Sequence, residues 1–243
     1  MAQDFTGSIT DIVNMDYRTG EVFKKYNINY CCGGGVSLSD TCKHRNIEYQ
    51  QVMRDLKWVT RNIVVSNNLP FDQWELNFLI DYIIHIHHTY IYQTIPILEV
   101  EFISFLDSHE KQFPEIKKVQ KTFNSLCSLL TANSKQEDEI IFPYIKQIVA
   151  AMSSKESYGN LFVRTLRKPF THIQSEHQKI EKLAGELEEL TNKFTFPTKA
   201  CTKHKMLYRK LSDFHENLVQ HQYLEMNILF PQAINIENQL LHL

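Results

Sequence analysis

Two glutamates in this chain stand in the same seven-residue frame, and the frame is built for a buried ion. Glu137-Asp-Glu-Ile-Ile-Phe-Pro143 and Glu225-Met-Asn-Ile-Leu-Phe-Pro231 both read E-x-x-I-[IL]-F-P, and four residues before each glutamate stand Asn133 and His221. In a helix, residues four apart share a face, so His221 and Glu225 can reach one ion together. His88 and His177 lie on two further stretches of helical periodicity. Carboxylates that bridge two metals, with imidazoles completing each coordination sphere, are an established way of building di-metal sites inside helical bundles. Nitrogen and oxygen donors without thiolate suit iron, and sometimes manganese or zinc.

Four long segments must position these groups. Apolar residues recur at three- and four-residue spacing over roughly 72–108, 114–151, 166–195 and 199–236, with Pro114, Pro169 and Pro197 near three of the starts. The inward stripes read Ile84, His88, Ile91, Ile95 on the first and Leu126, Leu130, Asn133, Glu137, Ile140, Tyr144 on the second. On the third they read Ile173, His177, Ile180, Ala184, Leu187, and on the fourth Leu211, Phe214, Leu218, His221, Glu225, Ile228. Every stripe carries a polar or metal-capable group at similar depth. A buried carboxylate costs several kcal/mol unless it is paired or ligates a metal. Two glutamates and three histidines at one depth therefore imply a cation, the plain alternative being a hydrogen-bonded buried network. His85, one turn before His88, is a reserve ligand. His44, His109, His172, His204, His215 and His242 are expected at the surface.

Short loops between helices of this length predict an all-α, antiparallel four-helix bundle over 71–238. The repeat makes it two related helix pairs, so a central site should be pseudo-symmetric. Ahead of it, residues 1–62 read as a small helical domain of short helices. There, Ser8 caps a turn from Ile9, Thr19 caps EVFKKY, Ser37 caps LSDTCKHR, and a further helix runs from Ile47 to Thr60. Only 7 of the 243 residues are glycine and five of those precede residue 36, which disfavours turn-rich sheets.

Bulk properties exclude several classes. A formal net charge of −2 offers no basic footprint for nucleic acid and no polybasic membrane patch. The most apolar stretch, 78–105, is broken by Asp81, three histidines, Glu99 and Glu101, and is not a membrane span. MAQDFTGSITDIV shows no secretory leader and the five cysteines are odd in number, so the expected compartment is the cytoplasm. No phosphate-binding glycine loop, nucleophile elbow or C-x-x-C pair is present.

Cys31 and Cys32 are adjacent and precede Gly33-Gly34-Gly35 and a helix start. A disulfide between neighbours would be strained, while backbone N–H groups at the helix start can lower a thiol pKa. A reactive thiol pair, with Cys42 as a third partner, stands against a turn that merely needs small side chains. Cys127 and Cys201 read as buried small residues.

These residues carry a family resemblance over nearly the whole chain. Tyr30-Cys31-Cys32-Gly33-Gly34, Ser175-Glu-His177 and His221-x-x-x-Glu225 followed by Leu229-Phe-Pro231 resemble the repair of iron centres family, the ScdA/YtfE-type di-iron proteins. The resemblance implies a hemerythrin-like bundle behind a short cysteine-bearing domain, with His88, Glu137, His177, His221 and Glu225 as ligands of two non-haem irons. It implies a function for Cys31 and Cys32, and a role in restoring iron–sulfur clusters damaged by nitrosative or oxidative stress, by iron donation to damaged iron–sulfur proteins. The fourth histidine position of the family is Asn133 here, whose neutral amide is a poor iron ligand. One iron is then held more weakly, or recruits His85, or is absent. A nitric oxide- or peroxide-reducing enzyme, a hemerythrin-like oxygen carrier or sensor, and a metal-free interaction bundle are the alternatives. Monomer and dimer both remain open.

Overall fold

The structure is a computed structural model that describes residues 5–31, 35–61, 69–154, 170 and 173–242. The chain divides into two compact units, Met1–Asn67 with Phe194–Leu211, and Asn68–Lys193 with Ser212–Leu243. The return of Phe194–Leu211 to the first unit has no counterpart in the linear reading of 1–62 and 71–238.

The first unit carries α1 (Ile9–Met15), α2 (Thr19–Lys25), α3 (Leu38–His44) and α4 (Tyr49–Val59). Ser8 caps α1 in a reciprocal box with Asp11, and the Ser37 hydroxyl accepts from the Asp40 N–H at the start of α3. Thr19 does not cap α2. It lies inside the helix and its hydroxyl donates to the Asp16 carbonyl at 2.6 Å. The scarce glycines are not missed at the helix ends, because asparagine takes the left-handed position. Asn27 (φ 55°) ends α2 and Asn46 (φ 54°) ends α3. Beyond each, an apolar residue turns back, Ile28 N–H to the Phe23 carbonyl and Ile47 N–H to the Cys42 carbonyl. Phe5, Ile12, Phe23, Leu38, Val52, Leu56 and Met206 meet in its core.

The second unit is an all-α bundle of α5 (76–109), α6 (116–154), α7 (Ile173–Leu190) and the part of α8 (202–241) from Ser212 onward. An apolar cluster that includes Ile80, Ile83, Phe142, Ile145, Ile173, Leu229 and Phe230 closes one end. Farther along the same helices Phe123 meets Phe214 edge to face and Phe102 at a tilt. Between these layers, each helix contributes its polar residues.

Three of the four helices are not continuous α-helix. Ile83–His88 in α5, Glu137–Ile141 in α6 and Glu225–Leu229 in α8 are π-turns, in which Thr89, Phe142 and Phe230 donate to the carbonyls five residues back. Such turns insert one extra residue into the helix and mark functional sites. They also explain the prolines of the repeat. A proline ring normally collides with the carbonyl four residues back, and the widened turn just before Pro143 and Pro231 relieves that collision. The extra residue shifts the helical phase. Ile140, expected inside, is 56% exposed and Ile141 takes its place at 1%. On α7, where no π-turn is present, all five expected inward residues are buried.

Among the described residues no helix is long and apolar enough to cross a membrane. The linker expected over 61–70 and the polar stretch 153–160 fall largely outside the described residues.

Candidate metal centre

His88, Asn133, Glu137, His177, His221 and Glu225 are all buried, the two glutamates completely. His88 closes the π-turn of α5, while Glu137 and Glu225 open those of α6 and α8. His177 sits on the uninterrupted α7. The five expected ligands do converge. His88 Nε2, His221 Nε2 and one oxygen from each glutamate fall within 4.8 Å of one another.

The two carboxylates face two ways. On one side, His88 Nε2 and His221 Nε2 approach to 3.0 Å, with Glu225 Oε1 3.0 Å from His221 and Glu137 Oε2 3.6 Å from His88. Neither of these oxygens receives a hydrogen bond. Two fully buried, unsatisfied carboxylate oxygens aimed at two imidazoles are the signature of an ion's place. Two donors bound to one metal at about 2.1 Å, at right angles, lie about 3 Å apart, which matches the His88–His221 spacing. On the other side, His177 Nε2 lies 3.0 Å from Glu225 Oε2 and 3.6 Å from Glu137 Oε1. Here the fourth group is Asn133, whose amide donates to Glu137 Oε1 at 2.7 Å.

Neighbours fix the imidazoles. His88 Nδ1 is 2.7 Å from Asp138 Oδ1, and Tyr92 donates its hydroxyl to the other Asp138 oxygen at 3.1 Å. His177 Nδ1–H donates to the Ile173 carbonyl. With Nδ1 occupied in this way, Nε2 of each ring would be the nitrogen offered to an ion, as an outer partner arranges for a metal-binding histidine. Asp138 was silent in the sequence because the frame was read as E-x-x, and its counterpart in the second frame is Met226.

Protonation follows from this packing. Burial, and then the nearby Glu225 charge, raise Glu137 well above the carboxylate range. Burial would also raise Glu225, but the His221 charge and the hydrogen bond from His177 hold it well below. For His88 burial opposes the charged form, yet Asp138 and Glu225 raise it to about 9. The metal-free pocket thus stores protons where a cation would stand.

The expectation for His85 is overturned. His85 is exposed, and His87 is buried in its stead, because the π-turn brings two consecutive residues, His87 and His88, to the inside. His87 stacks on His221 with ring centroids 5.7 Å apart and meets Asn217 Oδ1 at 3.2 Å. Burial, and then the charge of His221, lower it to about 4. His204, expected at the surface, is fully buried as well.

Of the thiols expected to act, Cys31 is half-buried and its backbone N–H donates to Asn29 Oδ1 at 3.0 Å. Cys32, Gly33 and Gly34 lie outside the described residues. Cys42 is a core side chain whose thiol burial pushes up, which removes it as a reactive third partner. Cys127 is buried as expected, while Cys201 is only half-buried.

Comparison with known proteins agrees with this geometry. Residues 79–233 match the family described as Hemerythrin HHE cation binding domain, and residues 6–59 match ScdA_N, described as a domain of unknown function. The chain is 26% identical over 219 residues to the iron-sulfur cluster repair protein YtfE of Shigella boydii, covering 89% of this chain and 91% of that protein. The proteins of that name from Escherichia coli O8 and Citrobacter koseri show the same identity and coverage.

Proposed function

The chain belongs to the hemerythrin HHE cation-binding family over residues 79–233, and from that premise we propose that it is a di-iron protein that repairs damaged iron–sulfur clusters by giving up iron. The observation that carries this is the pair of fully buried glutamates whose unsatisfied oxygens face His88 and His221. His88, His221, Glu137 and Glu225 form a complete half-site for one iron. His177, with the opposite oxygens of the same glutamates, forms the second. Iron bound there supplies a redox-active ion with labile positions. Asn133 replaces an imidazole with an amide that spends its N–H on Glu137, so the second half has fewer donors and lets its ion go more easily.

Repair as the purpose comes from the relatives, which carry that name along nearly their whole length. The partners are then iron–sulfur proteins that have lost iron, and Cys31 with Cys32 handles iron or electrons in the exchange. Purified anaerobically and given ferrous iron, the protein should bind two irons per chain and show oxo-bridged ferric bands after oxidation. Binding of a single iron would mean that the Asn133 half is broken. No iron on an intact helical fold would overturn the proposal and leave an interaction bundle.

A further inference from the structure

A groove of about 580 Å³ runs along the seam of α7 and α8, wholly inside the second unit, and His177 lies on its wall. Of the six residues of the centre only His177, which belongs to the asparagine-containing half, lines it. Down α7 the groove is faced by His177, Glu181, Gly185 and Glu188, spaced four, four and three residues apart. That is one helical stripe about 16 Å long at 1.5 Å per residue. His215 lines the α8 side, and no lysine or arginine stands among the described lining residues.

Gly185 is the informative member. It sits inside a helix, where glycine costs about 1 kcal/mol relative to alanine. Packing does not require it, since a Cβ placed there would meet no atom within 4 Å. Its φ is not left-handed either. The effect of having no side chain there is that the groove stays open.

We propose that this α7–α8 groove is the passage by which the iron of the His177 half enters and leaves, with Glu181 and Glu188 drawing the cation along it and Gly185 keeping it clear. The inference rests on the di-iron reading and adds a direction to it. The more weakly held ion is also the one with a road out. A wall of carboxylates and imidazole favours a cation and disfavours an anion.

The test is the rate at which a ferrous chelator extracts iron from the anaerobically loaded full chain. Wild type should release iron in two phases. Gly185→Leu should slow the fast phase at least tenfold with two irons still bound, while Gly185→Ala, which shares the gain in helix propensity without the bulk, should stay within twofold of wild type. Val219→Trp, an exposed position on the opposite wall, should repeat the leucine result and serves if that variant does not fold. Glu181→Gln with Glu188→Gln should slow the fast phase several-fold. Unchanged rates in both Gly185→Leu and Val219→Trp, with two irons bound, would overturn the passage alone. A wild-type chain that binds no iron would instead overturn the reading beneath it.

Discussion

Helices α6 and α8 present the same frame twice, and they differ at one decisive place. Each opens a π-turn with a fully buried glutamate and closes the frame with Phe-Pro. Around Glu225 stand His177 and His221 at 3.0 Å, with His88 at 3.7 Å, and the carboxylate is held ionised. Around Glu137 the nearest group is the Asn133 amide, with His88 and His177 each at 3.6 Å, and the carboxylate keeps its proton. Identical backbones thus hold two acids in opposite states. The difference teaches that the imidazole four residues upstream, not the π-turn, decides the charge of the site.

Removing the better-served acid should do the most. Glu225→Ala withdraws one oxygen from each half-site and leaves His177, His221 and His88 without their shared counter-charge, so both irons should be lost. Iron counted per chain after ferrous loading checks this, and two irons retained would show that Glu225 is not a bridge. Restoring symmetry should do the opposite. Asn133→His should slow release of the labile iron to a chelator by about tenfold or more, equivalent to about 1.4 kcal/mol. Release at or above the wild-type rate would mean that the amide is not the cause of lability.

Acidity gives a third comparison. Metal must displace the proton that His88 holds up to about pH 9 and the proton on Glu137. Ferrous affinity should therefore rise with pH, about tenfold per unit for each proton displaced, and the His88 contribution should level off near pH 9. Asp138→Asn removes the partner that raises His88, so that levelling should occur at lower pH. A titration of affinity against pH, identical in the two proteins, would contradict the role given to Asp138. His87 moves in the other sense. Its folded pKa, about 4, lies below the unfolded value near 6.5. As pH falls through that window the unfolded chain takes the proton first, and stability is lost by up to about 3 kcal/mol. Acid melts of the metal-free protein should lose most of that slope in His87→Phe.

How much of this was legible depends on whether the helix was regular. On α7 the 3.6-residue rule placed His177 and its neighbours without error, because nothing interrupts the α-helix. On α8 the expected ligands His221 and Glu225 precede the π-turn or open it, and both are buried as their phase predicts. On α5 the triplet His85, His87, His88 lies inside the π-turn, and a regular period picks the wrong companion for His88. Asparagine-terminated helices in the first unit were hidden for another reason. Left-handed caps at Asn27 and Asn46 depend on local backbone energetics that apolar periodicity does not report.

The surroundings of the two π-turns separate α6 from α8 beyond the glutamates, and that contrast can be probed most gently of all. Ile140 and Ile228 occupy one slot of the repeat, three residues after each glutamate, yet Ile140 is 56% exposed and Ile228 only 7%. The slots after them agree, with Ile141 and Leu229 both buried. Two π-turns at the same place in the repeat thus leave one inward residue on α6 and two on α8, so what packs against each turn, not the turn itself, sets the burial of this slot. Ile228→Lys buries a charge beside the apolar layer and should destabilise the fold by several kcal/mol. Ile140→Lys projects into water and should change stability by no more than about 0.5 kcal/mol. Paired denaturant melts decide it. Comparable losses from both substitutions would restore the strict symmetry that the repeat suggests.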